Sequence, residues 1–144
     1  MVVAKKEWDD FVSEMYALVI EEAALWEIPS GSIDLERAGP VVHGPWDPRE
    51  CARVIDLWLV RGWIELFLPD LSQVSAGWNL TPVEWQGSGE KDGDFLVLTT
   101  RDARSLLSDP DRWTVDSIDG QVSLSRSETG LELPWQDWLS AAQG

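Results

Sequence analysis

The chain of 144 residues has one cysteine and one histidine, so it nearly lacks the side chains that hold most zinc ions and carry much nucleophilic and acid–base chemistry. With Cys51 alone no intrachain disulfide can form, which excludes the stapled frameworks of small secreted domains. His43 has no second histidine or cysteine at ligand spacing; a zinc site of the usual kinds lacks ligands, and no metal or other cofactor is expected. One histidine would suffice for a Ser-His-Asp triad. Yet no Gly-x-Ser-x-Gly elbow occurs, and Pro29-Ser30-Gly31-Ser32 does not fit it. Phosphate-binding loops are missing too: Gly87-Ser88-Gly89 runs into Glu90-Lys91-Asp92 rather than into a helix. Asp92-Gly93-Asp94 lacks the twelve-position calcium-loop pattern.

Basic residues are scarce, 11 against 26 acids, for a net charge of −15. The deficit is uneven: residues 1–36 hold two lysines against nine acids, whereas residues 37–63 hold four arginines against three. Such a balance repels nucleic acid and anionic lipid at long range and speeds encounter with a basic partner. Long apolar runs are also missing. Tyr16 to Ile20 falls far short of the ~20 residues that cross a bilayer. Met1 to Asp10 has no apolar segment after a basic start, so no signal peptide is read there and the cytoplasm is the expected compartment.

What the sequence has in abundance is tryptophan, ten in all, each able to bury about 150–250 Å². With 44% apolar residues, wholesale disorder is excluded. Eight of the ten tryptophans fall on predicted apolar faces or beside turns, where core packing accounts for them. Trp78 and Trp85 flank Asn79-Leu80-Thr81-Pro82 and are candidates for an exposed interaction patch.

Periodicity predicts a single α+β domain over residues 1–144, with three to four helices and a small antiparallel sheet. Trp8, Phe11, Val12, Met15, Leu18, Val19, Ala23 and Trp26 form one apolar stripe, a helix over about 7–27, with Asp10, Glu14 and Glu21 on another face. The Pro/Gly-rich stretch 29–47 reads as a long loop with a short extended piece at Val41-Val42. Asp47 and Pro48 start a helix over 48–61, closed by Gly62. Cys51 lies in its first turn, where the helix dipole would lower a thiol pKa, but also on the apolar stripe; it reads as a small buried hydrophobe. A strand over 63–68 follows, then an ambiguous segment 70–85, a polar loop 86–94 and a strand at Phe95–Leu98. Thr99 or Thr100 caps a helix from Arg101 to Ser108. Asp119-Gly120 between two alternating tetrapeptides predicts a type I′ hairpin over about 113–126. A turn at 128–130 comes next, with Leu131 and Leu133 extending the sheet, and Pro134 opens a last helix carrying Trp135, Trp138, Leu139 and Ala142 on one face.

Helices, strand, short helix and hairpin over residues 48–126 follow an order that resembles a winged-helix domain. A DNA-reading version wants basic residues on the helix and the wing. Arg101 and Arg104 supply the first, but the second carries Asp116 and Asp119, with Asp109 and Asp111 between the two. In size and charge the chain is similar to the immunity proteins and antitoxins that neutralise basic toxins. The leading expectation is a non-catalytic domain that binds a basic protein, with Asp10, Glu14, Glu21, Trp78 and Trp85 as contact residues. A nucleic-acid regulator acting through Arg101 and Arg104 is the alternative, and an enzyme with an unrecognised carboxylate site the third class. No catalytic residue is nominated.

Overall fold

Phe11, Val12, Met15 and Val19 do build a helix, α1 (Lys5–Ile20), in the computed structural model, which describes residues 5–68, 90–92 and 95–143. The helix stops a full turn and more before the expected residue 27. Glu22 takes a left-handed conformation with φ 56°, the Ala23 N–H donates to the Leu18 carbonyl (2.9 Å) and the Glu22 N–H to the Val19 carbonyl (3.1 Å). That is a Schellman stop. Its cause is tertiary: the next residues pair with a strand, Leu25 N–H donating to the Val122 carbonyl (2.8 Å) and Leu124 N–H to the Ala23 carbonyl (3.0 Å). Ala23, Leu25 and Ile28 are buried, so the apolar period continues through the break in a 3-10 turn, Leu25–Ser30. Glu27 closes that turn by accepting from the Ala24 N–H at 2.9 Å.

The supposed loop 29–47 contains a hairpin, β1 (Ser32–Glu36) and β2 (Gly39–His43), paired antiparallel with Ile33 opposite Val42 and Leu35 opposite Pro40. Helix α2 (Pro48–Val60) starts as expected, with Asp47 accepting from the Arg49 N–H at 2.9 Å and proline in the first turn. β3 (Ile64–Leu68) follows, buried at Ile64 and Leu66 and exposed at Glu65.

β3 is central in a four-stranded antiparallel sheet of order β4-β5-β3-β6, with β4 at Glu90–Asp92, β5 at Phe95–Val97 and β6 at Ser123–Arg126. Part of the predicted polar loop is therefore the edge strand β4. α3 (Thr100–Leu107) is capped by Thr99, whose hydroxyl accepts from the Asp102 N–H at 3.2 Å.

The hairpin predicted over 113–126 is overturned. Ile118–Gln121 is a helical turn, α4, and only β6 from that segment enters the sheet, against β3. Ser117 caps the turn, accepting from the Gly120 N–H at 2.9 Å. Gly120 does not take the positive φ that a type I′ turn requires; it packs where a Cβ would meet the Thr114 carbonyl oxygen. Arg112 holds Asp119 at 2.8 Å. Residues 113–126 thus supply no wing of the winged-helix order. Leu131 and Leu133 do not extend the sheet either: Ser127 caps another helical turn, α5 (Glu128–Leu131), and Leu131 is exposed.

The last helix, α6 (Trp135–Gln143), packs against α1 and α2. Its Trp138 is fully buried and stands edge-on to the equally buried Trp58, ring centres 5.0 Å apart, with Tyr16 and Trp63 on other sides. The Trp58 indole donates to the Trp138 carbonyl at 3.0 Å, and that of Trp113 to the Leu106 carbonyl at 2.9 Å, so two of the large core side chains bury their polar atoms with partners.

Candidate functional site: an aromatic cleft with an acidic rim

The N-terminal helix α1 meets the connection between two consecutive elements, β2 and α2. The chain leaves β2 through Gly44 (φ 88°), where a Cβ would stand 2.9 Å from the Gly31 Cα and 3.2 Å from the Trp46 indole nitrogen. The Trp46 N–H then donates to the Pro29 carbonyl at 2.8 Å, which fixes the indole beside α1. Its ring lies 5.2 Å from that of Phe11, and Phe11 lies 5.4 Å from Trp8, both pairs tilted as aromatic quadrupoles favour. Trp8, Phe11 and Trp46 wall a cleft of about 460 Å³, closed on one side by Val42, His43 and Gly44. Asp10, Asp47 and Glu50 are exposed and line it too; among the residues whose side chains are described, no lysine or arginine does. The Trp46 indole N–H finds no acceptor among the described residues.

The cleft runs into an apolar surface. Residues opposite one another in an antiparallel pair share a face, as do alternate residues along a strand. Ile33, Leu35, Pro40 and Val42 therefore occupy one face of the β1–β2 hairpin, and Ile33, Leu35 and Val42 are 65%, 88% and 64% exposed. Val42 belongs to both the face and the cleft.

No family model, curated protein or solved structure gives a significant match to this chain. Function has to be read from the site itself.

The residues nominated from the sequence are scattered. Asp10 is on the cleft. Glu14, one helical turn after Asp10, is half-buried, its Oε1 3.8 Å from the Nδ1 of His43, which also lines the cleft. Glu21 is exposed beyond the end of α1, about 16 Å along the helix from Asp10 at 1.5 Å per residue. Trp78 and Trp85 lie outside the described residues. Arg101 is exposed on α3. Arg104 grips Asp56 with both arms of its fork, Nε to Oδ1 at 3.0 Å and Nη2 to Oδ2 at 3.2 Å; those hydrogen bonds and the charge of Asp56 raise its pKa further. Arg49, Arg53 and Arg104 line a second cleft of about 510 Å³ with Asp56, Ser105 and Ser108, where Arg53 is likewise engaged by Glu50 at 3.3 Å. Cys51 is fully buried, and burial, reinforced by the charge of Asp47, pushes its thiol up to about 12. It is therefore a packing residue with no nucleophilic character near neutrality.

Among the described residues no group of three or more His, Cys, Asp or Glu side chains is placed to hold a metal ion. Among them, too, no helix is long and apolar enough to cross a membrane.

Sequence reasoning missed Trp8, Phe11, Trp46 and Asp47 as a site because each had a structural explanation of its own, and nothing in the sequence singled out Glu50. A usable signal was the alternation Ile33-Asp34-Leu35-Glu36 ahead of Arg37-Ala38-Gly39, a strand and turn with its apolar positions on one side.

Proposed function

We propose that this chain is a non-catalytic, acidic protein-binding domain that acts in the cytoplasm on a basic protein, as an inhibitor of the immunity or antitoxin type does. The observation that carries the reading is the junction of an aromatic cleft, three exposed carboxylates and a solvent-facing apolar hairpin face. Apolar patches rimmed by polar groups mark contact surfaces, and aromatic pockets are where binding energy concentrates. The net charge of −15 steers a basic partner toward that surface. The lone cysteine agrees with a reducing compartment.

The test is affinity capture from nuclease-treated host lysate at low and high salt, with wild-type protein beside Leu35→Ser/Val42→Ser and Asp10→Asn/Asp47→Asn/Glu50→Gln variants. A basic protein held by the wild type, weakened by salt and lost with either variant supports the reading. A partner captured equally by all three proteins places the contact elsewhere and defeats it.

The nucleic-acid alternative keeps one observation in its favour, the cleft lined by Arg49, Arg53 and Arg104 near the exposed Arg101. Two of those guanidiniums are held by Glu50 and Asp56, which reduces the charge on offer to a phosphate. Capture that vanishes with nuclease, or falls on Arg49→Ala/Arg101→Ala substitution, would favour it.

A further inference from the structure

Granting the protein-binding reading, we infer that the cleft between α1, β2 and the start of α2 receives one arginine side chain of the partner, its guanidinium against the rings of Trp8, Phe11 and Trp46 and hydrogen-bonded to the carboxylates of Asp10, Asp47 and Glu50. The volume of about 460 Å³ falls in the range of small-ligand clefts, about 300–1,000 Å³. Three aromatic walls alone would suit any apolar side chain. Three exposed carboxylates beside them select a cation.

Arginine fits this composition better than lysine. A planar guanidinium can lie on a ring while its edge donates to carboxylates, whereas an ammonium is a compact, strongly hydrated point charge. The chain makes the same contact within itself twice. The Arg53 guanidinium carbon is 5.1 Å from the ring centre of Trp8, and that of Arg61 is 5.6 Å from Trp63. Arg53 also donates to the carboxylate of Glu50, so one guanidinium there already combines an aromatic face with an acid. Arg53 is not among the cleft's lining residues; it meets Trp8 in a smaller hollow shared with Ala142 and Gln143. The adjoining face of Ile33, Leu35 and Val42 would take apolar residues flanking the arginine, which gives the partner segment its pattern: one arginine beside exposed aliphatic side chains.

The experiment is a titration of the full chain with N-acetyl-arginine methylamide, following the tryptophan indole N–H signals by NMR, with the citrulline and lysine analogues as controls. Trp8 and Trp46 signals, assigned by Trp→Phe substitution, should shift with a Kd on the order of 1–10 mM, while those of the buried Trp58, Trp113 and Trp138 stay. Citrulline, which keeps the shape and loses the charge, should bind at least tenfold more weakly, and lysine several-fold more weakly. Asp10→Asn/Asp47→Asn/Glu50→Gln should weaken arginine binding at least tenfold with the rest of the spectrum unchanged, because asparagine still caps α2. Equal shifts from arginine and citrulline, or unchanged arginine binding by the triple variant, overturn the inference. If the arginine analogue fails while a basic partner is still captured and lost on Leu35→Ser, the inference falls and the protein-binding reading stands. If the analogue binds as described but no protein is captured, the cleft remains an arginine site and the protein-binding reading falls.

Discussion

The helical turn at Ile118–Gln121 and a type I′ hairpin at Asp119-Gly120 predict opposite responses to Ser117→Ala and Asp119→Asn. In the hairpin Ser117 is a strand residue, Asn is the preferred residue at position 119, and Ser117→Ala and Asp119→Asn should be neutral or slightly stabilising. In the observed structure the Ser117 hydroxyl accepts from Gly120 N–H at 2.9 Å and donates toward the Arg112 and Thr114 carbonyls at 3.1 Å. Removing such a cap costs about 1 kcal/mol, within a range of about 0.5–2. Asp119→Asn removes the charge facing Arg112 at 2.8 Å, where the side chains are 10% and 18% exposed, for about 1–2 kcal/mol. Gly120→Ala is the most severe. Its Cβ meets the backbone of Thr114, carbonyl oxygen first, and backbone cannot move aside as a side-chain tip would. Overpacking of this kind costs about 1–3 kcal/mol, and the Ser117 bonds that hold the Thr114 carbonyl put the substitution at the upper end. With a urea m-value of about 2 kcal/mol per M, a loss of about 3 kcal/mol lowers the unfolding midpoint by about 1.5 M. Ten tryptophans make fluorescence a convenient probe. Ser117→Ala and Asp119→Asn midpoints both within about 0.3 M of wild type would refute the helical turn and restore the hairpin.

Trp58→Phe should destabilise by about 2–3 kcal/mol, since it shrinks a fully buried ring and leaves the Trp138 carbonyl without its 3.0 Å donor; urea titration measures it. Leu35→Ser/Val42→Ser should leave stability within about 0.5 kcal/mol, because both side chains already face solvent; a larger loss would mean the hairpin face is covered within the chain. Cys51 should resist thiol reagents in the folded protein at pH 8 and react only on unfolding. Its pKa is raised from 9.0 to about 12, so between those values the unfolded chain has lost the thiol proton that the folded one keeps. Stability from this group is whole below pH 9 and declines by about 1.4 kcal/mol per pH unit above it, until the folded thiol ionises near pH 12. Cys51→Ala should remove that component of the alkaline slope, and an identical slope in both proteins would contradict the burial of the thiol.

The elements that were legible in the sequence are those whose signals are local. α2 carries its cap, its first-turn proline, its stripe of Cys51, Val54, Ile55, Trp58 and Leu59 and its closing glycine within sixteen residues, and the structure uses every one of them. β3 and α3 are similar cases. α1 was overextended because the apolar spacing of Ala23 and Trp26 continues past a break that only the pairing of residues 23–25 with β6 explains. Asp119-Gly120 was misread for a related reason. The dipeptide suits a tight turn of either kind, and the residue that decides between them, Ser117, acts by capping rather than by alternation. Local chemistry there was informative once the serine was read as a cap.

The cleft is harder to read, and the reason is general. Trp8 and Phe11 belong to the α1 stripe, Trp46 to a Gly/Pro connection and Asp47 to the cap of α2; each is fully accounted for by the element in which it sits. A binding surface arises only where those elements converge, set by the turn at Gly44 and the bond from Trp46 to Pro29. The acidic residues chosen from helical periodicity were sorted by angle around α1 alone, so the hairpin that draws Glu14 toward His43 and leaves Asp10 beside the aromatic rings could not enter the choice. Charge gave the sign of the partner correctly only if the cleft is what meets it. That condition ties the acidity of the whole chain to three carboxylates, Asp10, Asp47 and Glu50, whose removal leaves four fifths of the net charge of −15 in place. A partner drawn by overall charge would tolerate their loss, and a partner seated in the cleft would not.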